Sequence, residues 1–114
     1  MRVISQDGTI DVPHENFVFS ILNSSGGNYG IVAVKNVAEP PEVFWNSLIA
    51  TYSTEAKAIK AMEMLREQHE KVAFLKTIIN TEKGISFVRG LSKTDFDKMT
   101  QNYFQFPKDD EVEV

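Results

Sequence analysis

Ser47-Leu48-Ile49-Ala50-Thr51-Tyr52-Ser53-Thr54-Glu55-Ala56-Lys57-Ala58-Ile59-Lys60-Ala61-Met62-Glu63-Met64-Leu65 is where this chain changes from strand to helix. Ser47 to Tyr52 reads as a strand. Ser53 or Thr54 then offers a hydroxyl to the free amides of a first helical turn, and Glu55 suits the positive end of the helix dipole. Ala58, Ile59, Ala61, Met62 and Leu65 recur at spacings of three and four, which predicts one apolar stripe. Lys60, Glu63, Glu67 and Lys71 fall largely outside it. No Gly or Pro interrupts Thr54 to Asn80. Val72-Ala73-Phe74-Leu75 and Ile78-Ile79 suit either state, and the lack of a breaker favours a continued helix or a second one after a bend.

Upstream of this junction the chain reads as strands. Arg2–Ser5 and Ile10–Val12 form a short hairpin, with Asp7-Gly8 as a two-residue turn that tolerates positive φ. Pro13 ends the second strand or marks it as an edge. Phe17 to Leu22 is an apolar run expected to be buried on both faces or to lie in a subunit interface. A loop, Asn23 to Asn28, returns into a strand from Tyr29 to Lys35. Pro40-Pro41 forces an extended or turn conformation ahead of Phe44-Trp45. Downstream, Glu82-Lys83-Gly84 reads as a stop and Ile85 to Arg89 as a short strand. Ser92 opens a small helix to about Thr100, and Asn102 to Phe106 reads as the last strand. The class expected is α+β: an antiparallel sheet of about five or six strands, one long amphipathic helix and a short C-terminal helix, in a single domain over 1–114.

Charge is unevenly placed. The formal net charge is −4, from 16 acids and 12 bases. Asp109, Asp110, Glu111 and Glu113 carry the whole excess, so the body is neutral and the acidity belongs to a tail over 108–114. That tail reads as a solvated terminus, with a phosphate mimic or a clamp on a neighbouring subunit as the sharper alternative. A neutral body lacks the basic excess that duplex nucleic acid requires. No apolar run approaches the roughly 20 residues that span a membrane. Absent cysteine excludes disulfides, Cys-ligated zinc and a thiol nucleophile. The N-terminus turns polar too early for a signal peptide, so a cytosolic single domain is expected.

Catalytic motifs are missing. His14 and His69 stand far apart in sequence and read as ordinary surface histidines. No third ligand accompanies either, so no metal site is expected. Asp95 and Asp97, two apart on a helix, do not face each other. Gly26-Gly27 lacks the Lys-Ser/Thr and helix start of a phosphate loop. No cofactor and no enzyme activity are expected. The informative group is basic and aromatic: Arg66, Arg89, Lys93, Asn102, Phe104 and Phe106. A nucleotide-like anion needs guanidinium or amide donors for its phosphates and a ring for its base. Asn102, Phe104 and Phe106 share one face of a strand, although at least one of the two Phe fits a plain core role. Arg2 is the remaining arginine of the body and joins Arg66, Arg89, Asn102 and Phe104 as a candidate for binding a small anionic ligand.

Three blocks carry a resemblance. They are Met1 to Pro13 (Met-Arg-Val-Ile-Ser-Gln-Asp-Gly-Thr-Ile-Asp-Val-Pro), Ala50 to Ala58 with Ala61 to Leu65, and Phe104 to Val114 (Phe-Gln-Phe-Pro-Lys-Asp-Asp-Glu-Val-Glu-Val). In order and spacing they resemble a group of small Firmicutes and phage proteins, itself similar to the first family of phage Thoeris anti-defence proteins. The resemblance implies a sponge that binds a cyclic ADP-ribose signal without cleaving it. Some members also bind cyclic oligonucleotides at a separate site. It implies an antiparallel sheet, long helices that build a dimer, and in some members a hexamer. An arginine on the long helix and an asparagine near the last strand suit Arg66 and Asn102. With only Arg2, Arg66 and Arg89 as arginines, the chain has few groups for strong phosphate binding.

Independently of the resemblance, the apolar strand and long helix predict more apolar surface than one small domain covers, hence a homodimer or higher assembly. The function expected is a phage-encoded protein that sequesters a cyclic nucleotide immune signal in the bacterial host cytosol. The alternative is a non-enzymatic inhibitor that binds a host defence or regulatory protein through its surface or acidic tail.

Overall fold

A computed structural model describes residues 1–23, 26–35, 46–78 and 81–114. The expectations on Ser24-Ser25, Pro40-Pro41, Phe44-Trp45 and Ile79-Asn80 lie outside the described residues. Within them the order is β1 (Arg2–Ile4), β2 (Asp11–Pro13), a 3-10 turn (His14–Asn16), β3 (Phe17–Asn23), β4 (Tyr29–Lys35), β5 (Asn46–Tyr52), α1 (Glu55–Ile78), α2 (Glu82–Arg89), α3 (Lys93–Thr100), β6 (Tyr103–Gln105) and a 3-10 turn (Asp109–Glu111). The α+β class stands. The strands, however, form two three-stranded sheets rather than one, ordered β2-β1-β6 and β3-β4-β5.

In the first sheet β1 pairs antiparallel with β2 and parallel with β6. Val12, Val3 and Phe104 stand in one cross-strand row and are all buried. Pro13 closes β2, which is the edge strand, where its missing N–H costs no ladder bond. The loop between β1 and β2 is longer than a two-residue turn. Ser5 N–H donates to the Ile10 carbonyl at 2.8 Å, leaving Gln6 to Thr9 as the loop. Inside it the Asp7 carboxylate accepts from Ser5 Oγ, Thr9 N–H and Thr9 Oγ1, and Gly8 takes φ +78.

The second sheet packs one face on α1. Ile31 and Ala33 of β4 and Ala58 and Ala61 of α1 are fully buried, and the three alanines let helix and sheet approach closely. β3 is an edge strand of this sheet and only partly buried, with Val18 and Leu22 exposed; it is not enclosed on both faces. The two sheets are joined by Gln6. Its N–H donates to the Ile49 carbonyl at 2.8 Å, and its side-chain Oε1 accepts from Thr51 N–H at 3.1 Å. Its Nε2 donates to the carbonyls of Thr51 and Pro107. The side chain thus supplies partners to the edge of β5 that no strand covers.

α1 runs on through Val72 and Leu75, both buried, for a length of about 36 Å. Its stripe is Ala58, Ala61, Leu65, Val72 and Leu75; Ile59, expected in it, is exposed. Thr54 Oγ1 accepts from Lys57 N–H at the helix start. Ile85 to Arg89 is helical, not a strand, and Gly84 is no stop. Thr81 caps α2 by accepting from Gly84 N–H, and Gly84 sits in the first turn. A side chain there would meet the Ile78 carbonyl at 1.8 Å, so glycine permits the tight α1–α2 turn. α3 begins as expected, with Ser92 Oγ accepting from Asp95 N–H.

The acidic segment folds back on the chain. The Asp109 carboxylate accepts from Ser53 N–H at 2.8 Å and from Ser53 Oγ, while Lys57 Nζ donates to the Asp109 carbonyl at 2.9 Å. Val112 is buried. These contacts replace the freely solvated tail with a clasp at the N-terminus of α1, where a carboxylate is favoured by the unpaired amides. Tyr52, fully buried beneath it, donates its hydroxyl proton to the Pro107 carbonyl at 2.7 Å.

Candidate ligand-binding cleft

The cleft lies between β3, α1 and the turn that enters β3. Phe17 and Phe19 alternate onto the inner face of β3, and Met62, Leu65, Arg66 and His69 recur every three or four residues on α1. His14 enters from the 3-10 turn. That turn is fixed by the start of the chain: His14 N–H donates to the Met1 carbonyl at 2.9 Å, and the Met1 amine pairs with Glu15 at 2.6 Å. The cleft is open to solvent and has a volume of about 340 Å³.

Rings line one side of it. The imidazoles of His14 and His69 stack with centroids 4.1 Å apart and planes 20° from parallel. His14 also stacks on Phe19 at 5.8 Å, and Phe19 meets the core ring of Phe106 at 6.5 Å. The stack therefore rests on the core. Burial and the neighbouring His69 push the His14 pKa below its ordinary value, and Glu15 opposes the shift. Arg66 is exposed and, among the described residues, forms no ion pair. A cation without a counter-ion beside stacked rings suits an anion that carries a flat base.

The five sequence candidates do not form one site. Arg66 alone lines this cleft. Arg2 and Asn102 meet at the β1–β6 pair, where Arg2 N–H donates to the Asn102 carbonyl at 3.1 Å; the Arg2 guanidinium is bound to Asp11 at 2.8 Å. Phe104 is buried and stacks edge-on against Phe106 at 5.1 Å, so both are core residues. The margin of Phe104 does reach a second cleft of about 300 Å³ with Met64, Gln68 and Lys71. Arg89 stands at the exposed C-terminal end of α2. Sequence reasoning missed the histidines, because only tertiary folding brings positions 14 and 69 together. Phe17 and Leu65, three positions after His14 and four before His69, line the same cleft, but nothing local in the sequence pairs them.

Among the described residues no three His, Asp or Glu side chains converge as metal ligands, and no helix is long and apolar enough to cross a membrane. Comparison of the chain with protein-family models, with curated proteins and with solved structures finds no match in any of the three.

Proposed function

We propose that this protein binds and holds a cyclic nucleotide signal of the cyclic ADP-ribose type, with cyclic oligonucleotides as further ligands, and does not cleave it. In this reading it is a phage-encoded anti-defence protein acting in the bacterial host cytosol. The observation that carries the reading is the cleft: a guanidinium, Arg66, with no ion pair among the described residues, beside a stack of rings, in a volume at the lower end of the roughly 300–1,000 Å³ of small-molecule sites. Arg66 takes the phosphates and the rings take the base. A second copy is part of the proposal. Phe74, Phe87 and Ile85 on the α1–α2 end, and Val18, Leu22 and Leu48 on the second sheet, are exposed apolar side chains for it to cover.

The test is capture. Purified protein is mixed with cyclic ADP-ribose, freed of excess ligand and heated, and the released material is identified by mass. Intact ligand is the expected result, and Arg66→Ala should weaken binding about ten- to hundredfold, as for a hydrogen-bonded charge. Cleaved ligand would make the protein an enzyme. No binding of either cyclic ligand would remove the reading. Inhibition by protein contact draws its support from the same exposed apolar side chains, but not from a free acidic arm, since Asp109 is already bound to Ser53 and Lys57.

A further inference from the structure

The ring stack has a property that its role as a base platform does not use. His14 and His69 lie face to face at 4.1 Å, from different elements, and line the same cleft as Arg66. Among the described residues neither imidazole has a hydrogen-bond partner for its ring nitrogens. No unpartnered side-chain nitrogen is sealed from solvent, so these nitrogens reach solvent. Two imidazoles this close disfavour a double positive charge unless an anion sits beside them.

From this geometry we infer that His14, His69 and Arg66 form a phosphoryl subsite whose occupation is coupled to proton uptake by the histidine pair. The inference deepens the functional reading and rests on its assignment of the cleft. Without an anion, the burial of His14 and the closeness of the two rings disfavour the doubly charged pair. A phosphodiester or pyrophosphate group at the cleft offsets the mutual repulsion, and each imidazole then donates an N–H to it. Affinity rises as pH falls from 8 toward 6, and bound ligand shifts the pair toward its charged form by the same factor.

The charges facing the pair are mostly positive, the Met1 amine among them, and Glu15 opposes them. On the turn, Glu15 is the one acid, and it is engaged by the Met1 amine at 2.6 Å. On α1, Arg66 adds a positive charge one turn before His69, whereas Glu67 and Glu70 line a different cleft with Phe74. β3 contributes Phe17, Val18 and Phe19, which carry no charge, and Lys35 stands opposite Phe17 in the ladder. Burial already disfavours the charged form of His14, which leaves an anion room to reverse that preference.

The experiment is a histidine titration followed by the ring Cε1–H resonances, in sodium sulfate and in sodium chloride at equal ionic strength. Sulfate is the probe because its own charge does not change between pH 5 and 8. The expected result is that sulfate raises the apparent pKa values of the pair by about one unit, a tenfold preference of the anion for the protonated form. The rise should shrink by more than half in Arg66→Gln. In His69→Gln, His14 should titrate higher in chloride and respond less to sulfate. Identical titrations in the two salts would overturn the inference, and so would an undiminished rise in both variants. Cyclic ADP-ribose is titrated in parallel. If it binds yet leaves the histidines unmoved, the nucleotide reading stands and the subsite falls. If sulfate raises the pair and cyclic ADP-ribose does not bind, the subsite stands and the nucleotide reading falls.

Discussion

At the scale of single residues, Gln6 does the most with the least. Its backbone and side chain together make four hydrogen bonds that tie the first sheet to β5 and to Pro107. Truncating it leaves the Thr51 N–H and carbonyl without those partners. Gln6→Ala should lower stability by about 1–3 kcal/mol, read as a lower urea midpoint at unchanged slope. Carboxylates set the acid limit. Hydrogen bonds from Thr9 and Ser5 hold Asp7 at about 2 against an ordinary 3.8, and Ser53 above all holds Asp109 below its usual range. A depressed carboxyl stabilises the fold above its unfolded pKa and ceases to do so as pH falls through the folded one. Melting temperature should therefore drop between about pH 4 and pH 2, less steeply in Asp7→Asn. His14 acts in the opposite range. Its lowered pKa means that the unfolded chain binds the proton more readily, so the unliganded protein should lose stability as pH falls below 6.5.

At the scale of elements, the α1–α2 turn depends on a glycine inside a helix. Ala at an ordinary helical position is about 1 kcal/mol better than Gly. At position 84 the sign should reverse, because a Cβ would overlap the Ile78 carbonyl. Gly84→Ala is expected to destabilise by roughly 1–3 kcal/mol through overpacking, or to lower helical ellipticity by unwinding the start of α2. Thermal melts followed by circular dichroism decide this; a higher melting temperature would show that the turn accommodates a Cβ at position 84. The same scale explains the acidic clasp. Asp109 supplies the carboxylate that a helix N-terminus favours, and Val112 adds a buried side chain beside it.

At the scale of the whole molecule, shape is the informative quantity. The radius of gyration is 16.4 Å with extents of 51 × 37 × 21 Å, against about 13 Å for a compact chain of this length. The excess comes with exposed apolar residues on the α1–α2 end, where Phe74 and Phe87 meet edge to face at 6.2 Å and both stay about half exposed. A second copy should cover them. Light scattering on the purified protein is expected to give at least twice the 12.9 kDa of one chain. Phe87→Glu should shift that mass toward the monomer while the far-ultraviolet spectrum stays native. A monomeric mass at micromolar concentration in the parent protein would count against the assembly.

The sequence by itself determined the local elements with strong signals. The Ser53-Thr54-Glu55 start, the unbroken run after it, the β3 and β4 strands and the Ser92 cap were all legible, because capping chemistry and periodicity act within a few residues. It misassigned Ile85–Arg89, since a short apolar segment suits either state until Thr81 caps it. Tertiary structure alone decided how the strands divide between two sheets, with β6 returning parallel to β1. It alone turned the acidic tail into a clasp and placed Phe104 in the core. It also stacked His14 on His69 beside Arg66. Each of these joins residues many positions apart, and such contacts leave no mark in local composition.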